Sequence, residues 1–199
     1  MGQIFQLAKD FVSASLEDIE ALLDSPSHPR RAAAVSIMDF QARRKTTPDT
    51  GRRELYELYL RRHDRIDTWD LVDRAAPHVV GGYLWDKSRE PLYVLAASPH
   101  WYERRTSIVS TWFFIRHDDL EDTFRIGQIL ANDPHDLVQK AVGGWIREAG
   151  KRDEQRLRDY LDRNASTMSR TALRYAIERL PTDIRDHYLG RKNVRAPRG

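Results

Sequence analysis

The chain contains no cysteine, which at once excludes a disulfide framework, a thiolate zinc site, a cysteine nucleophile and an iron–sulfur cluster. It has no long uncharged apolar run and no charged-then-apolar leader after Met1. A membrane span, a membrane partner and a secretory signal are therefore not expected, and the reading is a cytoplasmic protein. Neither sign of charge dominates, with 33 Lys and Arg against 30 Asp and Glu and a formal charge of +3. So mild a basic excess permits nucleic acid without demanding it. There is no Walker loop, no GxGxxG and no GxSxG, and Gly81-Gly82 and Gly143-Gly144 are too short to cradle phosphates. The histidines at 28, 63, 78, 100, 117, 135 and 187 include no pair at ligand spacing and no HExxH. His135 beside Asp136, coming after Asp133-Pro134, reads as a helix N-terminal turn rather than a metal fragment, so no metal site is expected.

What remains is a chain of 199 residues, 40% hydrophobic and 32% charged, enough for one compact domain over residues 1–190. The stretch 191–199, Arg-Lys-Asn-Val-Arg-Ala-Pro-Arg-Gly, reads as a basic, disordered tail. Ten glycines and nine prolines are few for this length. The prolines at 26, 29, 48, 77, 91, 99, 134 and 181 fall where helices should start or stop. Between them apolar residues recur at three and four, as in Ala32, Val35, Ile37 and Phe40, or Leu173, Ile177 and Leu180. Ser15 before Leu16-Glu17-Asp18 predicts an N-cap, and Asp133-Pro134 predicts a cap followed by proline at the first helical position. Strand-like alternation is nearly absent, and the pattern predicts roughly ten or eleven helices joined by short turns.

The helices also resemble one another. Arg31-Ala32-Ala33-Ala34, Arg105-Thr106-Ser107-Ile108, Lys140-Ala141-Val142-Gly143 and Arg170-Thr171-Ala172-Leu173 each open with a cation followed mostly by small residues. Their spacing is about one helix pair, in the range of ~30 to 45 residues per unit found in helical solenoids. Small residues let neighbouring helices approach closely. The recurrent cation either forms a row suited to a phosphate backbone or is an ordinary solvated helix residue in a merely structural repeat. The segment Thr68-Trp69-Asp70-Leu71-Val72-Asp73 stands out chemically, because Thr68 is a candidate N-cap and Trp69 and Asp73 then share one helix face. An aromatic beside a carboxylate suits the stabilisation of a cation or an oxocarbenium. The alternative has Trp69 in the core and Asp73 paired with Arg74 or Arg105.

Several blocks in order resemble the AlkD-type DNA alkylation repair family: Trp69-Asp70-Leu71-Val72-Asp73, Leu92 to Ala96, Glu103 to Trp112, His135 to Gly143, Arg147 to Arg152 and Arg170 to Glu178. The resemblance implies an all-α, right-handed α-solenoid of HEAT-like helical repeats that holds duplex DNA in a basic groove. It implies a cofactor-independent, monofunctional glycosylase acting on cationic alkylpurines such as 7-methylguanine and 3-methyladenine; a monomer is expected. Asp73 falls on the family's catalytic aspartate, Trp69 on the aromatic that packs against the lesion, and Arg105 on the arginine that grips phosphate beside it. Lys140, Arg147, Lys151, Arg152, Arg170 and Arg174 are candidates for phosphate contact, with salt dependence as the expected signature.

Two departures from the family pattern bear on this. The family reads Gly-Trp, two residues, then Arg-Glu, whereas here Gly144 occupies the aromatic position and Trp145 is displaced by one residue, about 100° around a helix. Either the cleft lacks one aromatic wall or a helix irregularity brings Trp145 into the DNA-binding set. Ile4-Phe5-Gln6-Leu7-Ala8-Lys9 resembles a family segment that normally follows a further helical hairpin, whose absence would expose apolar surface at the end of the stack. The main alternative is a catalytically weak or inactive module of the same fold that binds DNA structures or a protein partner. A pure protein-interaction solenoid gives no reason for Trp69, Asp73 and Arg105 to occur together.

Overall fold

The structure, a computed structural model, describes residues 2–191. The tail expected after 190 lies, beyond Arg191, outside the described residues. Every regular element among the described residues is helical. The fold is all-α, and its helices pack on neighbours mostly one and two elements away along the chain, consistent with an α-solenoid of helical repeats. The described residues form fourteen α-helical segments, more than the ten or eleven expected.

Two compact units divide the described chain, one ending at Pro91 and the other beginning at Leu92. The first holds α1 (Gly2–Asp10), α2 (Leu16–Asp24), α3 (His28–Arg43), α4 (Asp49–Arg61), α5 (Trp69–Ala75) and α6 (Gly82–Leu84). Its centre is α3, against which α1, α2, α4 and α5 all pack. Ala32, Ala33, Ala34, Val35, Ile37 and Met38 are buried, as a helix surrounded on most sides requires. Ser15 caps α2 as expected, with its hydroxyl accepting from the Asp18 amide at 3.1 Å while its own amide donates to the Asp18 carboxylate at 3.2 Å. Leu7 and Phe11 are exposed. They border a groove of about 780 Å³ lined mainly by apolar side chains of the first three helices, Ala33 and Ile37 among them.

Pro77 does not end a helix. Lacking an amide hydrogen, it cannot donate to the carbonyl four residues back, that of Asp73. The chain answers by widening into a π-helical stretch, Ala76–Gly81, closed by the Gly82 amide donating to the Pro77 carbonyl, and then continues as α6. The expected break at Pro77 is thus a bulge within one continuous rod from Trp69 to Leu84.

Between the units' residues runs α7 (Glu90–Ala96), and the second unit continues with α8 (Trp101–Ser110), α9 (Trp112–Ile115), α10 (Glu121–Ile129), α11 (Asp136–Gly150), α12 (Glu154–Asn164), α13 (Arg170–Ala176) and α14 (Thr182–Gly190). Its centre is α11, packed by α8, α10, α12 and α13. Close approach here depends on glycine. A Cβ at Gly127 would lie 2.6 Å from Ile146, one at Gly150 2.4 Å from Leu157, and one at Gly143 2.3 Å from the Ala172 carbonyl oxygen. The expected cap at Asp133 is displaced, since α11 starts at Asp136 with His135 as its N-cap residue. The Asp133 carboxylate instead accepts from the His135 amide at 2.8 Å and from Arg104 at 2.5 and 3.1 Å, which fixes the turn entering α11.

Candidate nucleic-acid interface

In the first unit, Trp69 opens α5 and is 52% exposed, which excludes the core position considered for it. Asp73, one turn on and on the same face, is half-buried. Thr68 is the N-cap residue, although its side chain makes no capping bond to the helix. Its hydroxyl donates to Asp70 Oδ1 at 2.8 Å, and His28 Nε2 stands 3.0 Å from Asp70 Oδ2, stitching the start of α5 to the start of α3. Burial alone would raise the Asp70 carboxyl, but the Thr68 hydroxyl and His28 outweigh it and hold the group below the usual carboxylate range.

Arg74 turns away from this surface. Its Nε donates to Ser36 Oγ at 3.1 Å, and Nη2 lies 3.0 Å from the carboxylate of Asp39, which is 1% exposed. The guanidinium sits 4.6 Å from the Phe5 ring centre and 4.7 Å from that of Phe40, held between two aromatic faces. Adjacent residues therefore divide the work, with Arg74 fastening α5 to the core and Trp69 and Asp73 left on the outer part of the helix.

Arg105 belongs to the second unit and is only 7% exposed, its Nη1 donating to the Leu137 carbonyl at the start of α11. The same arrangement recurs through the repeat. Arg31 donates to the Arg65 carbonyl at 2.9 Å and Arg170 to the Leu189 carbonyl at 2.8 Å. Three of the four recurrent cations thus reach the backbone of a later segment, so each helps hold neighbouring segments of its own unit together.

The other expected phosphate contacts lie on or just after α11 and on α13, and most have an anionic neighbour. Lys140 pairs with Asp136 at 2.6 Å, Arg147 with Glu178 and with Glu148 at 3.3 Å, Lys151 with Glu148 at 2.7 Å, and Arg152 with Asp118 at 3.4 Å. The Asp136 carboxylate holds the Lys140 ammonium above its usual value. Arg174 is exposed and has no ion-pair partner among the described residues. α11 runs unbroken through Gly143, Gly144 and Trp145, so no irregularity rotates Trp145, which is half-buried. Tyr175, 39% exposed beside Arg174, is not among the residues expected from the sequence, although the adjacent Arg-Tyr pair is a signal for it. Among the described residues no group of three or more His, Cys, Asp or Glu is disposed to hold a metal ion, and no helix is long and apolar enough to cross a membrane.

No curated protein matches the chain. The family model described as DNA alkylation repair enzyme matches residues 1–180, in agreement with the motif blocks and the all-helical fold, and the chain belongs to that family.

Proposed function

We propose that the protein is a DNA glycosylase that hydrolyses the N-glycosidic bond of cationic alkylated purines, such as 7-methylguanine and 3-methyladenine, in duplex DNA. The observation that carries this reading is the outer part of α5, where an exposed indole stands one turn from a half-buried carboxylate while Arg74 is committed to the core. A purine alkylated at N7 or N3 is already positively charged, so it departs with the electron pair of the C1′–N bond and needs little acid assistance. Positive charge then develops on the deoxyribose, as in glycoside hydrolysis. The Asp73 carboxylate stabilises that charge, orients water toward C1′ and accepts the proton released as the C1′–O bond forms. The Trp69 π-face adds favourable potential for the cationic lesion and sugar. Arg105, its head oriented by the Leu137 carbonyl, is assigned to a phosphate beside the lesion, and the α11 and α13 cations to the flanking backbone. The protein works on this reading as a monomer built of HEAT-like repeats, without a cofactor.

The test is single-turnover release of 7-methylguanine from a duplex oligonucleotide, with Asp73→Asn compared at matched DNA occupancy. Release falling by about two orders of magnitude or more is expected, in line with the loss of a group stabilising developing charge. A second reading, a DNA-binding module with weak or no catalysis, is favoured by Gly144, which leaves no side chain at the aromatic position. Duplex binding without release by either protein would select it and end the glycosylase proposal.

A further inference from the structure

The contact between α11 and α13 leaves a step on the surface. At Gly143 a Cβ would lie 2.3 Å from the Ala172 carbonyl oxygen and 2.5 Å from Tyr175 Cβ, whereas at Gly144 it would meet nothing within 4 Å. Gly143 is therefore required by packing and Gly144 is not. Glycine within a helix is disfavoured by about 0.5–1 kcal/mol relative to alanine, and no positive φ occurs at any described glycine to explain the residue at 144. Its effect is to keep a patch of surface empty.

The walls of that patch have a consistent chemistry. Tyr175 is 39% exposed, and its hydroxyl has no hydrogen-bond partner among the described residues. Lys140, one turn before Gly144, lies near Tyr175, while the Arg147–Glu178 pair links α11 to the turn that follows α13. Arg174 adds an exposed guanidinium without an ion-pair partner among the described residues. The acids nearby, Asp136 and Glu178, each face a cation of the same patch. An exposed ring whose Cβ packs against α11 at Gly143, with open space at the next residue, Gly144, and cations along both helices, is the combination that takes a flat base by stacking and its phosphates by charge.

We infer that Gly144 and Tyr175 form a stacking subsite for one nucleobase of the DNA strand, with Lys140 and Arg174 on its flanking phosphates. The inference rests on the proposed function for the identity of the nucleic acid, not for the chemistry of the shelf.

The probe is a duplex carrying a tetrahydrofuran abasic-site analogue beside 2-aminopurine, titrated with the full chain while anisotropy and 2-aminopurine emission are followed. Wild type and Tyr175→Phe should bind and quench emission. Tyr175→Ala should bind about tenfold more weakly, within the range for one lost base–aromatic stack, and should quench little. Gly144→Leu fills the shelf with a good helix former, so it should melt no lower than wild type yet reproduce the Tyr175→Ala defect. Equal affinity and quenching in wild type, Tyr175→Ala and Gly144→Leu would overturn the subsite, as would wild-type binding without quenching. Absence of all duplex binding would overturn it together with the proposed function. Loss of Asp73-dependent release with the Tyr175-dependent quench intact would remove the glycosylase reading and leave the subsite standing.

Discussion

In the first unit the long helix α3 meets α5 through charge buried among rings, whereas in the second α11 meets its neighbours through side chains that are missing. The α3–α5 contact is built on Asp39, Arg74 and Ser36, with Phe5 and Phe40 closing over the guanidinium. The α11 contacts rest on Gly127, Gly143 and Gly150, each with a neighbour where a Cβ would stand. Gly51, in the first unit, has nothing nearer such a Cβ than the Thr47 methyl at 3.3 Å, a tight contact but a looser one than at the three α11 glycine contacts. A charge-built contact is sensitive to the loss of one partner and to pH. A contact built on absence is sensitive to volume, and the two kinds of damage separate experimentally. The difference also suits the proposed roles, since a polar anchor beneath α5 fixes the helix carrying Trp69 and Asp73 without occupying its outer part.

The largest stability effect is expected where the charge-built contact loses one member. Arg74→Met leaves Asp39 buried with only Arg43, whose Nη1 is 3.4 Å away, as a charged neighbour. It should cost about 3 kcal/mol, as for a broken buried pair. Adding Asp39→Asn should restore part of that, because the amide needs no counter-ion. The same pair predicts a pH dependence. Burial pushes the Asp39 carboxyl up, more than Arg74 and Arg43 pull it down, so the folded state holds this proton more tightly than the unfolded chain. Stability should therefore fall as pH rises from the ordinary aspartate value of 3.8 through the raised folded value. Denaturant titrations across that interval should show a shallower fall in Asp39→Asn than in wild type. An unchanged slope would mean that the buried charge does not govern the first unit's response to acid.

Next comes the volume-built contact. Gly143→Ala places a methyl group 2.3 Å from a backbone carbonyl, which cannot swing aside as a side chain could. α13 must move, at about 2 kcal/mol within the range for overpacking. Thermal melts of this variant should show a loss that does not vary with pH, unlike that of Arg74→Met.

Helices, the Ser15 cap and the small-residue contacts were legible because each depends on neighbours within one turn or on periodicity along one helix. Trp69 and Asp73 were legible for the same reason, since their shared face follows from spacing alone. Pro77 was misread because a proline removes one hydrogen bond wherever it stands, and only the tertiary packing of Ala76, Val79 and Val80, all buried, decides that the helix continues around it. The recurrent cations were half legible. Their repetition was visible, but the carbonyls of Arg65, Leu137 and Leu189 that receive Arg31, Arg105 and Arg170 lie 19 to 34 residues away. Tyr175 was hidden because its exposure depends on how α13 packs against α11, a contact between segments distant in sequence.

The smallest expected effect gives the sharpest comparison. Gly144 is the next residue to Gly143 on the same unbroken helix, and a methyl group there meets nothing within 4 Å. Alanine loses less backbone freedom on folding than glycine, so Gly144→Ala should raise stability by about 0.5–1 kcal/mol. The same substitution one position earlier should lower it, and the opposite signs depend only on which side of α11 meets α13. A loss at both positions would mean that α11 needs glycine for its own geometry and that the shelf beside Tyr175 is not open space. A gain at 144 with a loss at 143 would show that the second glycine serves no packing purpose, leaving the surface it vacates to be explained by what binds there.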